Sequence, residues 1–369
     1  MKRLLALALC MLVVFAAAVP TAHAESLLES AAEAAGTEEL TRGLSEEERR
    51  ILGDTDAKAA FDTQGALSRL WEHVLQSAKN AFCAQFSFAL RLLILIFFCA
   101  LSGAVCSGSA SKEGIALAAC CCAAVLAAGD WDSGIAQASE TLNRLSDYSR
   151  AALPVLYTAA AAAGALSSAP IRYAASSLAM EVLMTVSRSL VLPVVHAYLA
   201  LSLTLCVCDD PMLRAVQRLI RKAAVMLLSL LTTAFCLYVG LSGLVAGSTD
   251  ALAVKAARSV LSGLLPVVGG ILSDSAAALV SAAAVIRSAA GALCLVAVCA
   301  ICAGPLVFLL VKLMLLRAAA VLAEILPGGA LARFLDDCAG VFSLLLALVG
   351  SSAVMLFFSF MAGIRAVSG

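Results

Sequence analysis

The sequence predicts an all-α fold, a polytopic transmembrane helical bundle that follows a short exported N-terminal helical region. Two observations predict this class. Hydrophobic residues make up 62% of the 369 residues and charged residues only 14%, a composition far too apolar for a water-soluble protein of this length. In addition, several runs approach the roughly 20 apolar residues that a helix needs to cross a bilayer.

Residues 1–24 have the composition of a secretory signal peptide. Lys2 and Arg3 precede the apolar run of residues 4–19, and Ala22-His23-Ala24 offers a cleavage site. We expect cleavage after Ala24, with an uncleaved signal anchor as the alternative. Either arrangement places the next segment outside the cytoplasm.

Residues 25–88 are predicted to form an extracytoplasmic amphipathic helical region. Acidic residues outnumber basic ones there, which is typical of a solvated segment. Ser45-Glu46-Glu47-Glu48 has the pattern of a capping box at the start of a helix. Apolar residues recur at helical spacing from Leu67 to Ala78 and predict a second helix. Trp71 suits either the membrane boundary or the core between the two helices.

Residues 89–369 are predicted to form a multispanning membrane domain. Its seven candidate spans are Ala89–Ser107, Gly114–Gly129, Ala151–Leu166, Ser189–Cys208, Ala223–Gly247, Ala289–Val311 and Ala339–Ala362. The second and third are short and rich in alanine, which favours packing between helices over contact with lipid. Seven full crossings would leave more Lys and Arg outside the cytoplasm than inside, against the positive-inside rule. We therefore favour six full crossings with Gly114–Gly129 as a re-entrant segment.

The stretch Ser248–Ser275 matches neither a clean span nor a soluble loop. Its centre carries Pro266, Gly269 and Gly270 between apolar residues, and Asp274 follows. Broken backbone at membrane depth must be buried in protein or line a wet cavity, because lipid cannot satisfy free N–H and C=O groups. We predict a structural hinge at these four residues within a re-entrant element near residues 262–274. A short apolar loop at the membrane surface is the alternative.

A few charged residues lie in or beside the predicted spans. Glu181 and Arg188 are seven residues apart and share one helical face, and His196 lies two further turns along. Charges in hydrocarbon are costly and normally face a cavity or a partner, so these three are candidate intramembrane polar residues. The alternative, which we favour, is an amphipathic helix that ends before the span and leaves only His196 at depth. The cations Arg287, Lys312 and Arg317 are interpreted as interface anchors.

The sequence offers no catalytic, cofactor or metal site. The 14 cysteines fall almost entirely in apolar runs without nearby His or carboxylate, where free cysteine behaves as a small hydrophobic residue. Neither G-x-S-x-G nor H-E-x-x-H occurs, and there is no Gly-rich phosphate loop or basic run interleaved with aromatics. We therefore expect a protein that is not an enzyme and binds membrane lipid, with no nucleic acid and no small-molecule ligand identified.

The order of features resembles the stage III sporulation protein AE family of endospore-forming bacteria. The residues that carry the resemblance are Gly240-Leu241-Ser242-Gly243-Leu244, Ala253-Val254-Lys255-Ala256-Ala257-Arg258, Leu264-Leu265-Pro266-Val267-Val268-Gly269-Gly270 and Leu272-Ser273-Asp274. The signal, the exported helices and the polytopic body extend it over essentially the whole chain. The cysteine-rich, alanine-rich spans depart from the family pattern.

The resemblance implies a non-catalytic component of the channel or secretion-like complex between mother cell and forespore, required after engulfment. It implies other stage III sporulation membrane proteins as partners and a multi-pass location in the mother-cell membrane that faces the forespore. A permease or export gate that conducts a small solute by itself is the alternative. The two are separated by flux measured on the protein reconstituted alone.

Overall fold

The computed structural model describes residues 44–46, 48–49, 63–105, 109–162, 168–208, 210–264, 269–324 and 329–364. The predicted signal peptide and most of the first exported helix lie outside these residues. Over the described part the protein is 97% helical and has no strands, which confirms the all-α class. The main elements are α1 (Thr63–Val105), α2 (Ser109–Ala162), α3 (Ser168–Val186), a π turn (Ser187–Val191), α4 (Leu192–Val207), α5 (Pro211–Leu264), α6 (Gly269–Ala323) and α7 (Ala330–Ile364).

Within the residues that the structure describes, six helices are long and apolar enough to cross a membrane, and the protein is a multi-pass membrane protein. These candidate spans are Ser68–Val105, Gly114–Ala162, Ala169–Cys206, Pro211–Tyr238, Ala290–Ala323 and Ala330–Ile364. The seven candidate stretches lie on six helices, in agreement with the favoured number of six full crossings, because Gly114–Gly129 and residues 151–162 lie on one helix, α2. A polar middle separates these two alanine-rich stretches in sequence, but alanine and polar residues both continue the helix between them.

Several helices are longer than a bilayer is thick. α2 and α5 have 54 residues each and α6 has 55. At 1.5 Å per residue such a helix is about 80 Å long, against about 30 Å of hydrocarbon. α1 is also continuous across residues 88 and 89, where we placed the start of the membrane domain. That domain boundary stays a prediction.

The core is centred on α7. Its buried residues occur on all sides of the helix, from Leu331 to Gly363, and it packs against α6, α2, α5, α4 and α3. Glycine allows the closest approaches. A Cβ atom at Gly340 would lie 2.6 Å from the Tyr198 hydroxyl, and one at Gly134 of α2 would lie 2.7 Å from Phe342. The outer surface is apolar, with Phe97 of α1, Leu178 of α3 and Met226 of α5 about two thirds exposed.

Capping residues explain where α5 and α7 begin. Asp210 precedes Pro211 and accepts a 2.9 Å hydrogen bond from the Met212 amide, so it caps α5, where proline is preorganised for the first turn. Gly329 has φ of 59°, a conformation that strains other residues, and its carbonyl accepts from the Arg333 amide as α7 begins. Residues 324–329 therefore connect α6, which ends at Ala323, to α7, which begins at Ala330.

The stretch Ser248–Ser275 lies at the junction of two long helices. Its first part continues α5 to Leu264, and α6 begins at Gly269. Gly269 and Gly270 form the first turn of α6, and Asp274 lies in its second turn. Pro266 lies outside the described residues. The hinge therefore stays a prediction.

Candidate functional site: a polar stripe at membrane depth

Helix α2 runs parallel to α7 over most of its length. The rings of Trp131 and Phe334 are 6.3 Å apart and perpendicular, and those of Tyr148 and Phe360 are 6.1 Å apart. The Tyr157 hydroxyl donates a 3.1 Å hydrogen bond to the Ser359 carbonyl. These pairs place residues 131–157 of α2 beside residues 334–360 of α7.

This register fixes the depth of α2. Residues 338–364 of α7 include no charged side chain, so they are the part of α7 suited to hydrocarbon. The neighbouring residues of α2 must lie at the same depth. The middle of α2 therefore lies beside the uncharged part of α7, although its composition is that of a water-exposed helix.

One face of α2 carries exposed polar side chains at this depth. They follow one another at intervals of three, four or eight residues, which keeps them on one side of a helix. We call this set the polar stripe: Asp132, Glu140, Asn143, Asp147 and Arg150. The opposite face is apolar and fully buried, with Ala138, Leu142, Leu145 and Ala152 at most 1% exposed. α2 is thus amphipathic over this stretch.

Helix α3 brings two of the predicted residues to the stripe. It runs antiparallel to α2, with Tyr157 and Ser176 hydroxyls 3.1 Å apart. Glu181 accepts a 3.2 Å ion-paired hydrogen bond from Arg150, and Arg188 donates to the Asn143 side chain. The Glu181 and Arg150 side chains are 67% and 65% exposed. Glu181 and Arg188 therefore share a polar groove with the stripe.

His196 follows the same face because of the π turn. Glu181 and Arg188 are seven residues apart, close to two α-helical turns, whereas Arg188 and His196 are eight apart. The π turn at Ser187–Val191 holds about one residue more than an α turn, and it absorbs the eighth residue. His196 is exposed, and its Nδ1 lies 2.8 Å from the Leu192 carbonyl oxygen.

The polar groove has a small cavity between α2 and α3. Its volume is about 100 Å³, and its lining residues are Ser146, Ser149, Arg150, Leu153, Tyr173, Ser177, Met180 and Glu181. Hydroxyl groups and an ion pair line most of this space. A cavity of this size and polarity can hold a few water molecules, which need two to four polar partners each.

Lys312 of α6 is a correction to the sequence analysis. It is not an interface anchor, because its side chain is only 1% exposed. Its Nζ atom lies 2.8 Å from Asp130 Oδ1 and 3.7 Å from the centre of the Phe88 ring. One ammonium group therefore joins α1, α2 and α6, and Asp130, two residues before the stripe begins, supplies the partner that a buried charge requires.

Arg317 and Arg287 are the other two predicted interface anchors. Arg317, one turn and a half after Lys312, forms a 2.7 Å ion pair with Asp336 of α7 and is 33% exposed. It therefore joins two helices near the polar start of α7. The Arg287 side chain lies outside the described residues.

A short N-terminal segment also reaches α2. Arg144 bonds both carboxylate oxygens of Glu48 at 2.6 Å, and Glu48 is only 4% exposed. The same carboxylate accepts a 2.8 Å hydrogen bond from the Ser45 amide, which is the reciprocal half of the predicted capping box. Leu44 is buried in the core beside it. The acidic N-terminal region thus contacts the bundle directly.

Sequence reasoning missed Asp130, Lys312, Arg144 and the polar stripe. The spacing of the stripe was visible in the sequence. The sequence analysis did not identify this polar face because it treated the residues between Gly129 and Ala151 as the connection between two spans. The pairing of Lys312 with Asp130 had no local signal, since 182 residues of chain separate them.

Comparison with known proteins gives one family. The family model described as stage III sporulation protein AE matches residues 58–367. The stage III sporulation protein AE of Bacillus subtilis (strain 168) is 22% identical over 212 residues, which are 58% of this chain and 53% of that protein. The match thus spans about half the length of the relative. No solved structure matches the chain.

Proposed function

Since the chain belongs to the stage III sporulation protein AE family, we propose that it is a membrane subunit of the channel or secretion-like complex between mother cell and forespore. In this proposal it is a non-catalytic assembly or channel subunit, required for sporulation after engulfment. It lies in the mother-cell membrane that faces the forespore. Its partners are other stage III sporulation membrane proteins of the same complex.

The polar stripe is the observation that carries the proposal. Two carboxylates, an amide and a guanidinium, those of Glu140, Asp147, Asn143 and Arg150, lie exposed on α2 beside the uncharged part of α7, and Asp132 lies nearer its charged start. A charged side chain at the centre of a bilayer costs about 2.5–3.5 kcal/mol on insertion scales, so several on one lipid-facing surface would be prohibitive. The stripe must therefore face water or protein. A subunit that lines a wet path through a membrane complex meets this requirement.

The N-terminal region supports the assembly part of the proposal. Residues 25–62 hold eleven acidic and four basic residues, which is a composition suited to binding partners in water. Glu48 lies within this region, and its ion pair with Arg144 attaches that point of the region to the bundle. We propose that residues 25–88 are extracytoplasmic and engage sister subunits.

Thiol accessibility tests the wet surface. In a full-length chain depleted of native cysteines, Asn143→Cys should react with a small membrane-impermeant maleimide in intact membranes. The matched control is Leu178→Cys, an apolar position that is 66% exposed on the outside of α3. It should stay unlabelled because lipid covers it. Equal protection of the two thiols would refute the proposed wet path.

The permease alternative is favoured by the same groove. A path lined by Ser177, Glu181 and the stripe could conduct a small solute in one chain. Flux distinguishes the alternatives. An assembly subunit reconstituted alone should leave vesicle permeability unchanged, whereas a permease should show saturable, substrate-dependent flux.

The junction of α5 and α6 enters the proposal as a structural hinge at Pro266, Gly269, Gly270 and Asp274. Replacing Pro266, Gly269 and Gly270 with alanine would favour one continuous helix, because alanine has the highest helix propensity. We expect the triple variant to lose sporulation at normal protein abundance. Normal sporulation at normal abundance would show that the junction is only a surface loop.

A further inference from the structure

The first part of α5 carries an exposed basic surface. Four cations, Arg214, Arg218, Arg221 and Lys222, lie close together there, and residues 211–238 include no acidic residue. Arg214 and Arg221 are half-buried, whereas Arg218 and Lys222 are exposed and lie one turn apart. Within the described part of the chain, neither Arg218 nor Lys222 forms an ion pair. Both are therefore available to an anion from outside the protein.

The same side of α5 is apolar beyond these two cations. Met226 and Leu237 are 67% and 61% exposed, and both lie within about 60° of Lys222 around the helix axis, at about 100° per residue. The buried residues of α5 lie on the opposite side; they are Gln217, Ala224, Leu228 and Phe235. From Lys222 to Leu237 the helix rises by about 22 Å, which exceeds the roughly 15 Å of hydrocarbon in one leaflet. We call this surface, formed by Arg218, Lys222, Met226 and Leu237, the α5 face.

The charged part of the α5 face lies at one end of a span. Gln217 donates a 2.8 Å hydrogen bond to Ser202, close to the end of α4 at Val207, so Arg218 lies near the short connection between α4 and α5. The positive-inside rule assigns this cation-rich end of the candidate span Pro211–Tyr238 to the cytoplasmic side. Three candidate spans precede it, which agrees with the extracytoplasmic N-terminal region proposed above.

We propose that the α5 face binds an anionic phospholipid of the cytoplasmic leaflet. The phosphate lies between Arg218 and Lys222, and an acyl chain lies along Met226 and Leu237. Long cationic side chains suit this position, because they cover apolar surface with their stems and keep the charged group at the membrane boundary. A zwitterionic lipid would bring its own cation towards Arg218 and Lys222, so the site favours a headgroup with a net negative charge.

This site goes beyond the proposed function, because it belongs to the single chain and needs no other subunit. It also assigns different surroundings to two flanks of the bundle. The polar stripe of α2 requires water or protein, whereas the α5 face requires lipid at the level of Met226 and Leu237. The α5 flank therefore stays in contact with the bilayer when the chain is part of a larger complex.

Quenching by brominated lipid tests the site in the full-length chain. Trp71→Phe and Trp131→Phe remove both native tryptophans, and Met226→Trp then reports on lipid at the α5 face in phosphatidylcholine vesicles. A small share of phosphatidylglycerol with brominated acyl chains should quench this tryptophan about fivefold more than an equal share of brominated phosphatidylcholine. Arg218→Gln with Lys222→Gln should abolish this preference, because it removes both charges that attract the phosphate.

Two matched variants serve as controls. Phe97→Trp is 66% exposed on α1, where residues 92–105 include no cation, and should be quenched equally by the two lipids. Lys79→Gln with Arg91→Gln removes two exposed charges from α1 and should leave the preference at Met226→Trp intact. Equal quenching of Met226→Trp by both lipids would overturn the proposal, as would a preference that survives the loss of both α5 cations. Relief of the quenching by inorganic phosphate at constant ionic strength would also overturn it, because it would indicate a site for a free anion.

Discussion

Helices α2 and α7 lie side by side, yet their surfaces differ in polarity and in exposure. α7 is uncharged over residues 338–364 and is buried on nearly every side. α2 is buried only on the face that meets α7 and α6, and its other face carries the polar stripe. Contact with five other helices makes α7 the core of the bundle, whereas α2 also presents an exposed polar face. The two helices should therefore respond differently to substitution.

The largest effect is expected where α2 contributes a charge to the buried region. Asp130→Asn leaves Lys312 buried without a counter-charge, and breaking a buried pair in this way costs about 3–5 kcal/mol. We expect the protein level in membranes to fall strongly. Asp130→Asn combined with Lys312→Met removes both charges and should recover most of the protein. If the single variant accumulates normally, the pair does not hold α1, α2 and α6 together.

A smaller loss is expected from overpacking α7. Gly340→Ala would place a Cβ atom 2.6 Å from the Tyr198 hydroxyl, whereas Gly350→Ala would meet no atom within 4 Å. Overpacking a close contact costs about 1–3 kcal/mol. Thermal unfolding in detergent should therefore show a lower midpoint for Gly340→Ala and an unchanged or higher one for Gly350→Ala. Equal midpoints would show that α7 is less tightly packed than its contacts indicate.

The contact between Glu48 and Arg144 should have an intermediate effect. Glu48→Gln keeps the shape of the side chain but removes the charge from the bonds to Arg144, which is 34% exposed and therefore partly screened. We expect a loss of about 1 kcal/mol in unfolding free energy. Proteolysis at residues 25–62 should become faster in the same variant. Unchanged proteolysis would mean that this contact does not fix the N-terminal region.

The smallest change in stability is expected on the polar stripe. Glu140→Gln with Asp147→Asn replaces two exposed side chains, and such changes usually alter stability by less than about 0.5 kcal/mol. Because these carboxylates face the proposed path, sporulation should nevertheless fall at least tenfold at normal protein level. Counting heat-resistant spores beside membrane protein level tests this. Normal spore counts would leave α2 without a role beyond packing.

The sequence predicted the features that local chemistry determines. The all-α membrane class follows from composition, and the shared face of Glu181 and Arg188 follows from their spacing. Sequence alone could not show that residues 130–150 continue one helix at membrane depth. That depth depends on pairs such as Tyr148 with Phe360, which join distant parts of the chain. For the same reason the sequence analysis interpreted Lys312 as an interface anchor, because its partner Asp130 is distant in the chain.

The π turn at Ser187–Val191 has a consequence for editing the chain. It stores one surplus residue, so deleting Leu190 would give an ordinary α-helix without shortening any neighbouring loop. A regular α-helix over the shortened segment would leave the side chains beyond it, including Tyr198 against Gly340, facing as they do now. The chain can therefore lose one residue at the π turn, whereas a deletion within the regular turns of α4 would rotate every later side chain by about 100°.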